Sequence, residues 1–379
     1  MRLFPFIYLI VYSLMHLYII TKAKTAFNFK SRTVTLLILF SVIMVFSPII
    51  IRLSSFPDLH LAAQKLTYTF FLWMALVFLL SCLLITIDFC RLFSKALKRF
   101  LRLDLSRFIP SSRFLFITSF SLAIMLVVYG SFEAKDIRTE KVTISSSKLP
   151  ESMDKLTIVH VSDVHLGLII REKRLEKIIE LIKQAKPDIL MATGDIVDGQ
   201  INHHLKLIEP FREITPRYGK YAIAGNHEFY VGIEQAVDFM EKAGFIMLRG
   251  RGVTVEGLIN VAGVDDPAAK NFSDARIATE REVLSALPRD KFTIFLKHRP
   301  DIKADYIGLF DLQLSGHSHK GQIFPFSIAT KLYYEVHAGL AKVSNDSYLY
   351  VSRGAGTSGP PIRILSPPEI TVIEVLRKP

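Results

Sequence analysis

The sequence predicts two parts in tandem: an all-α membrane region of four apolar helices, then an α/β layered sandwich. Three observations predict it. Apolar residues concentrate in the first 130 of 379 positions, and short β-type runs alternate with helical stretches from about residue 140. Asp, His and Asn residues recur at the ends of those β-type runs. A chain of this length accommodates two or three domains.

Residues 3–21 and 33–52 are nearly charge-free runs of about the 20 residues that cross a bilayer core. Residues 66–88 and 112–130 are two more, so the membrane region is expected over 1–135 and the soluble domain over 140–379. The first run is not read as a cleaved leader, because three further spans follow and no small-residue cleavage site is evident.

Loop charges orient these spans. The loop at 22–32 holds Lys22, Lys24, Lys30 and Arg32. The loop at 89–113 holds Arg91, Lys95, Lys98, Arg99, Arg102, Arg107 and Arg113 against Asp104 alone, whereas 53–65 carries one Lys and one Asp. Cytoplasmic loops are the Lys/Arg-rich ones. Four spans then place the N-terminus and everything after residue 131 outside the cytoplasm, in a multi-pass protein of the cytoplasmic (inner) membrane. Phe93, Leu97, Phe100, Leu101, Leu105 and Phe108 recur at helical spacing among the bases of the third loop. That pattern fits a helix lying on an anionic leaflet, or equally a linker that only sets topology.

The charge excludes one class of function. Up to residue 150 there are 18 Lys and Arg against 6 Asp and Glu, which is the whole of the net +12; the rest carries 29 of each. A nucleic-acid face would appear as a basic excess in the soluble part, and none is present. Cys82 and Cys90 both belong to one apolar segment, so the soluble part can hold neither a thiolate metal site nor a disulfide framework.

In the soluble part, 155–162, 188–194, 221–225, 292–298 and 310–315 read as buried strands. Between them 171–185 places Leu175, Ile178, Ile179 and Ile182 on one helical face, and further helical stretches fall near 231–242 and 274–286. Such alternation is the pattern of a layered α/β sandwich. The stretch 354–368 reads as a loop, since the apolar run EITVIEVL follows it.

Each strand ends in polar residues of one kind. Asp163 and His165 follow the first, Asp195 the second, and Asn226, His227 and Glu228 the third; His298 follows the fourth, and Gly316-His317-Ser318-His319 the fifth. The carboxyl ends of strands are where α/β sheets build ligand sites. Paired strands would gather three carboxylate or amide oxygens and four imidazoles into one cluster. Mixed N and O donors suit Mn, Fe, Zn, Co or Ni. Seven donors exceed one tetrahedral site but suffice for two metals that share a carboxylate. Two such ions hold and acidify a bridging water and neutralise charge on a phosphoryl group. An unligated imidazole can then protonate the leaving oxygen.

These segments resemble the calcineurin-like metallophosphoesterases. The family's ordered D-x-H, G-D, G-N-H-[D/E], lone H and G-H-x-H motifs stand here as Asp163-Val164-His165, Gly194-Asp195, Gly225-Asn226-His227-Glu228, His298, and Gly316-His317-Ser318-His319. The resemblance covers roughly 150–379 and implies a four-layer α/β/β/α sandwich with two divalent metal ions, manganese favoured. It implies that Asp163, His165 and His319 hold one metal, that Asn226, His298 and His317 hold the other, and that Asp195 bridges them. His227 would act as the unligated catalytic imidazole, oriented by Glu228 or Asp198. Membrane-associated bacterial members look similar, among them UDP-2,3-diacylglucosamine pyrophosphatases and exported, membrane-anchored phosphodiesterases. Lys320 departs from that branch, which has Gly after GHxH; it would contact substrate phosphate or point to solvent.

Gly354, Gly356, Ser358 and Arg363 form a glycine-rich stretch that suits a phosphate or diphosphate, or serves as a turn-rich connection. Asp265 and Asp266 resemble a family segment but carry no assigned role. The expectation is a membrane-anchored phosphoesterase or pyrophosphatase whose partners are the lipid bilayer and a phosphorylated small molecule or lipid. The alternatives are the UDP-2,3-diacylglucosamine pyrophosphatase reaction of lipid A synthesis, or a transporter or sensor with an inactive phosphoesterase-like module. Against the last, the donor set is complete and His16 is the only mid-membrane polar candidate, where transport paths show several ionisable groups.

Overall fold

The computed structural model describes residues 4–47, 60–101, 109–167, 169–199, 205–272 and 277–378. Contacts divide the chain into one unit of Met1–Phe132 with Gly359–Ile362 and another of Glu133–Ser358 with Arg363–Pro379.

The first unit is helical: α1 (Phe4–Phe27), α2 (Ser31–Val45), α3 (His60–Leu101) and α4 (Ser112–Glu133). Their sequences are apolar on all sides, and Phe6, Ile10, Leu14, Leu36, Phe114 and Met125 are exposed, as lipid-facing helices require. Among the described residues, three stretches, Phe6–Phe27, Gln64–Leu101 and Ser112–Glu133, are long and apolar enough to cross a bilayer. Of the second expected span, 33–52, the described part forms the 15-residue helix Ser31–Val45; residues 48–59 lie outside the described set. The basic stretch expected as a separate loop is helical through residue 101 as the direct continuation of α3. That 42-residue helix is about 63 Å long at 1.5 Å per residue. Residues 102–108, with Leu105 and Phe108, lie outside the described residues.

His16 is occupied structurally. Its Nδ1 pairs with the Tyr12 carbonyl at 2.9 Å, and Trp73 Nε1 donates to its Nε2 at 3.0 Å, tying α1 to α3. A satisfied interhelical imidazole of this kind is membrane-helix glue, and nothing here marks it as part of a transport path.

The second unit holds two six-stranded sheets. With β1 (Arg138–Ser146), β2 (Lys155–Val161), β3 (Ile189–Ala192), β4 (Lys220–Ala222), β5 (Ile246–Met247) and β12 (Glu369–Arg377), the first runs β1-β12-β2-β3-β4-β5. With β6 (Arg251–Val255), β7 (Ile259–Gly263), β8 (Phe292–Leu296), β9 (Leu312–Ser315), β10 (Gly339–Lys342) and β11 (Tyr348–Val351), the second runs β10-β11-β9-β8-β7-β6. Strands β2, β3 and β4 are mutually parallel, as are β7, β8, β9 and β11. Their carboxyl ends therefore line up on one edge of each sheet.

Hydrophobic cores fill the layers. Leu156, Ile158, Ile294, Leu296, Leu312, Leu314 and Ile373 pack between the sheets. On the outer face of the first sheet lie α5 (Glu172–Ala185), α6 (Ile208–Arg212) and α8 (Ile233–Lys242), which bury Leu175, Ile178, Ile182, Phe211 and Phe239. Helix α9 (Glu280–Ser285) and Tyr306 and Phe310 cover the second sheet. The helical stretch expected near 231–242 is two helices, α7 (Asn226–Val231) and α8, broken at Gly232, where φ is 114°. The order is α/β/β/α, as the resemblance implies.

Ile158 is fully buried between the sheets. Ile158→Ala is expected to destabilise this unit by about 2–5 kcal/mol, read as a lowered urea midpoint of the full chain in detergent.

Candidate metal centre

The residues at the strand ends converge. Asp163, His165 and His319 bring one ligand atom each within 4.8 Å of one another, and so do Asp195, His298 and His317. Across the first set, Asp163 Oδ1 lies 3.3 Å from His319 Nε2, and His165 Nε2 lies 3.2 Å from the same nitrogen. Across the second, His298 Nε2 lies 3.2 Å from both Asp195 Oδ2 and His317 Nδ1. Asp195 Oδ2 is also 4.0 Å from His165 Nε2, so this one oxygen faces both sets.

The loops that carry these side chains are held by backbone bonds. Asp163 N donates to Gly194 O, His165 N to Asp195 O, and Gly356 N to Asp163 O. Asp163, His165, Asp195, His317 and His319 all have φ between 47° and 67°. Left-handed backbone at non-glycine residues costs roughly 1–3 kcal/mol each and persists where neighbours over-determine it. The motif glycines follow from close approach: a Cβ at Gly225 would sit 2.3 Å from Asp195 Oδ1, and one at Gly316 would sit 2.1 Å from Asp163 Oδ2.

Glu228 has a different task from the expected one. Its carboxylate accepts from the backbone N–H groups of Gly225, Asp195, Ile196 and Val197 at 2.7–3.2 Å. Asp198 is the residue that meets His227, Oδ1 to Nδ1 at 3.0 Å. The His227 ring is 4.6 Å from that of His165, and His165, Asp195 and His227 form a third group with one ligand atom each within 4.8 Å of one another.

Arg363 requires a correction too. Expected to reach substrate, it is completely buried. Its guanidinium donates to the carbonyls of Arg353, Gly354, Gly356, His319 and Ser366, and its Nη2 lies 3.0 Å from His319 Nδ1. It organises the 353–366 loop and seats His319. Lys320 is half-buried with φ 51°. Gly354 and Gly356 pack on Asp163 and Val164.

Electrostatics follow from this crowding. Burial pushes the Asp163 carboxyl up. Burial would raise Asp195 as well, but the charges of His298 and His227 outweigh it and hold Asp195 well below the usual carboxylate range. Against its own burial, His298 is raised to about 10, chiefly by Asp195. His227, half-buried, is raised to about 9 by Asp195 and by its bond to Asp198. Burial pushes His317 down to about 3.

The donor set fits cations. Asn226 Oδ1 is buried without a hydrogen-bond partner among the described residues. His298 Nδ1 bonds the Thr193 carbonyl at 2.7 Å, which turns Nε2 toward His317 Nδ1 and Asp195 Oδ2. Imidazole nitrogens that face one another at 3.2 Å, with carboxylate oxygens beside them, are the arrangement that a shared metal resolves.

Residues 156–321 match the family described as calcineurin-like phosphoesterase. A metallophosphoesterase of Aquifex aeolicus is 40% identical over 258 residues, 68% of this chain and 98% of its own length. The chain belongs to this family. A zebrafish relative, "Transmembrane protein with metallophosphoesterase domain", is 32% identical over 66% of this chain, which spans 60% of it. YkuE of Bacillus subtilis is 35% identical over 62% of this chain and 84% of its own length. Among solved structures, a 5'-nucleotidase precursor from Thermus thermophilus aligns over 59% of this chain and 54% of its own, at 15% identity and TM-score 0.36. Calcineurin-like phosphoesterases bind two divalent metals, and the His/Asp clusters of this phosphoesterase are of that kind. With its apolar helices, the chain is a membrane protein.

Sequence reasoning missed Arg299, directly after His298. Its guanidinium grips the buried Asp266 at 2.7 and 3.0 Å while remaining about a third exposed (32%) beside the centre. A base that immediately follows a strand-ending histidine was the available signal. It also gives Asp266 a role: the anchor of that arginine.

Glu228→Ala would strand four buried N–H donors, each unsatisfied group costing about 1–3 kcal/mol. The variant is expected to lose several kcal/mol of stability and its bound metal together, measured by urea unfolding and elemental analysis. Glu228→Gln, which keeps an acceptor, should fall in between.

Proposed function

We propose that this membrane-anchored phosphoesterase hydrolyses a phosphoester or pyrophosphate bond of a lipid-linked or envelope substrate. The observation that carries the hydrolytic part is the pair of donor sets on either side of Asp195, with His227 beside His165 and Asp195 and held from behind by Asp198. Asp163, His165 and His319 would hold one divalent ion, and Asn226, His298 and His317 the other, with manganese the favoured metal. When bound, such a pair supplies a water of lowered pKa and neutralises phosphoryl charge.

The side chains supply the remainder. Asp198 holds His227 by Nδ1, leaving Nε2 as the proton donor to the leaving oxygen. The nearby carboxylates keep that imidazole protonated at neutral pH. Arg299, fixed by Asp266, offers a charged fork to a phosphate oxygen.

The lipid part rests on the anchor, since tethering a catalyst to a bilayer concentrates it on substrates held there. The loop charges favour an extracytoplasmic domain. A cytoplasmic nucleotide-linked lipid such as UDP-2,3-diacylglucosamine fits less well with that orientation. The inactive-module reading is disfavoured by the complete donor set.

A panel of lipid and water-soluble phosphoesters, presented to the metal-loaded enzyme, is expected to show preference for the lipid esters; equal rates would remove the lipid part of the proposal. His227→Gln is expected to lower kcat roughly a hundred- to ten-thousandfold while metal content holds. Asp195→Asn is expected to abolish both hydrolysis and stoichiometric metal binding, and unchanged hydrolysis there would refute the assignment of the site.

A further inference from the structure

Among the described residues, one helix of the second unit has no buried residue of its own. Helix α10 (Phe326–Tyr333) follows the loop of His317 and His319, and none of its residues is buried. Leu332 is 85% exposed, Tyr333 78%, Phe326 56% and Ile328 53%, with Phe324 at 44% just before them. Single exposed apolar side chains are ordinary, but a contiguous set marks an interaction surface.

The helix is fastened to the metal-site loop. A Cβ at Gly321 would lie 2.4 Å from Ser327 Cα, so the loop and the helix start are in direct backbone contact. Beyond the helix, Ser318 Oγ donates to His337 O at 2.6 Å, and the Tyr334 ring lies 6.2 Å from that of His317.

The same surface is basic. Burial, then the charges of Lys320 and Lys331, push the His337 imidazole down, which places both ammonium groups near one point. Between residues 320 and 346 the sequence holds Lys320, Lys331 and Lys342 against Glu335 and Asp346. A short apolar face rimmed by lysines complements the boundary between anionic headgroups and acyl chains. A symmetric second copy would instead set Lys320 and Lys331 against their own counterparts. The spans of this chain keep a bilayer within reach of every molecule.

We propose that α10 docks on the surface of an anionic bilayer, with Phe326, Ile328, Leu332 and Tyr333 at the acyl boundary and Lys320 and Lys331 among the headgroups. This holds the metal-site loop against the membrane face. It deepens the lipid-substrate reading above and rests on the chain's being a membrane enzyme.

The test uses the full chain with Cys82→Ala and Cys90→Ser. An environment-sensitive fluorophore is attached at Leu332→Cys or, for reference, at the exposed Asp290→Cys. The chain is placed in nanodiscs of phosphatidylcholine, alone or mixed with phosphatidylglycerol, that contain a lipid-borne quencher. Quenching is expected at position 332, weakly or not at all at 290, and more strongly with phosphatidylglycerol. Lys320→Gln and Lys331→Gln should each weaken the docking equilibrium about fivefold.

Equal quenching at the two positions, or quenching at 332 that ignores phosphatidylglycerol and both lysines, would overturn the proposal. So would excimer formation by pyrene at 332, which would assign the face to a second copy. Hydrolysis is assayed in parallel on a water-soluble diester. Quenching without any hydrolysis leaves docking standing and fails the functional reading; hydrolysis without quenching fails docking alone.

Discussion

The centre depends on one carboxylate that touches neither metal-site histidines nor solvent. Glu228 accepts from four backbone amides on two loops, and so fixes the β3 loop that carries Asp195 against the β4 loop that carries Asn226 and His227. Buried amide donors are costly without partners, so neither loop can separate from Glu228 without exposing or orphaning several. With that distance set, Asp195 Oδ1 can accept from His227 N at 2.8 Å while Oδ2 turns to both donor sets. The frame is thus built before any side chain is asked to ligate.

Arg363 performs the same service on the other flank. A buried guanidinium is tolerated only where its donors are matched. Here five carbonyls and an imidazole nitrogen surround it, which draws the glycine-rich loop over Asp163 and seats His319. The two charged residues with the closest hold on the site's geometry therefore do no chemistry of their own.

Much of this was legible in the sequence, and the reason is local. Strands β2, β3, β4, β8 and β9 are short apolar runs, and the residue after each run must lie near a sheet edge, so Asp163, Asp195, Asn226, His298 and His317 could be placed without coordinates. What stayed hidden depends on non-local or conformational facts. Strand β1 pairs in parallel with β12, more than two hundred residues away, and no periodicity records such a partner. The left-handed φ at five of the strand-end residues is imposed by straps from other loops. Arg363 reads as a phosphate contact because carbonyls turned inward leave no trace in residue type. Glu228 and Asp198 are both acids near His227, and only distance separates the amide cap from the imidazole's partner. Helix α10 has an ordinary composition; its distinction is that nothing among the described residues covers it.

The straps run from Glu228 and Arg363 to main-chain groups, and the His227 imidazole is no part of them, so truncating that imidazole leaves the cradle standing. Framework and reactivity are therefore separable here, and a protein stripped of its proton donor keeps the shape that its target recognises. Immobilised, such a silenced form becomes bait: the molecule that it retains from a cell extract can be eluted and weighed, and the target thereby identifies itself.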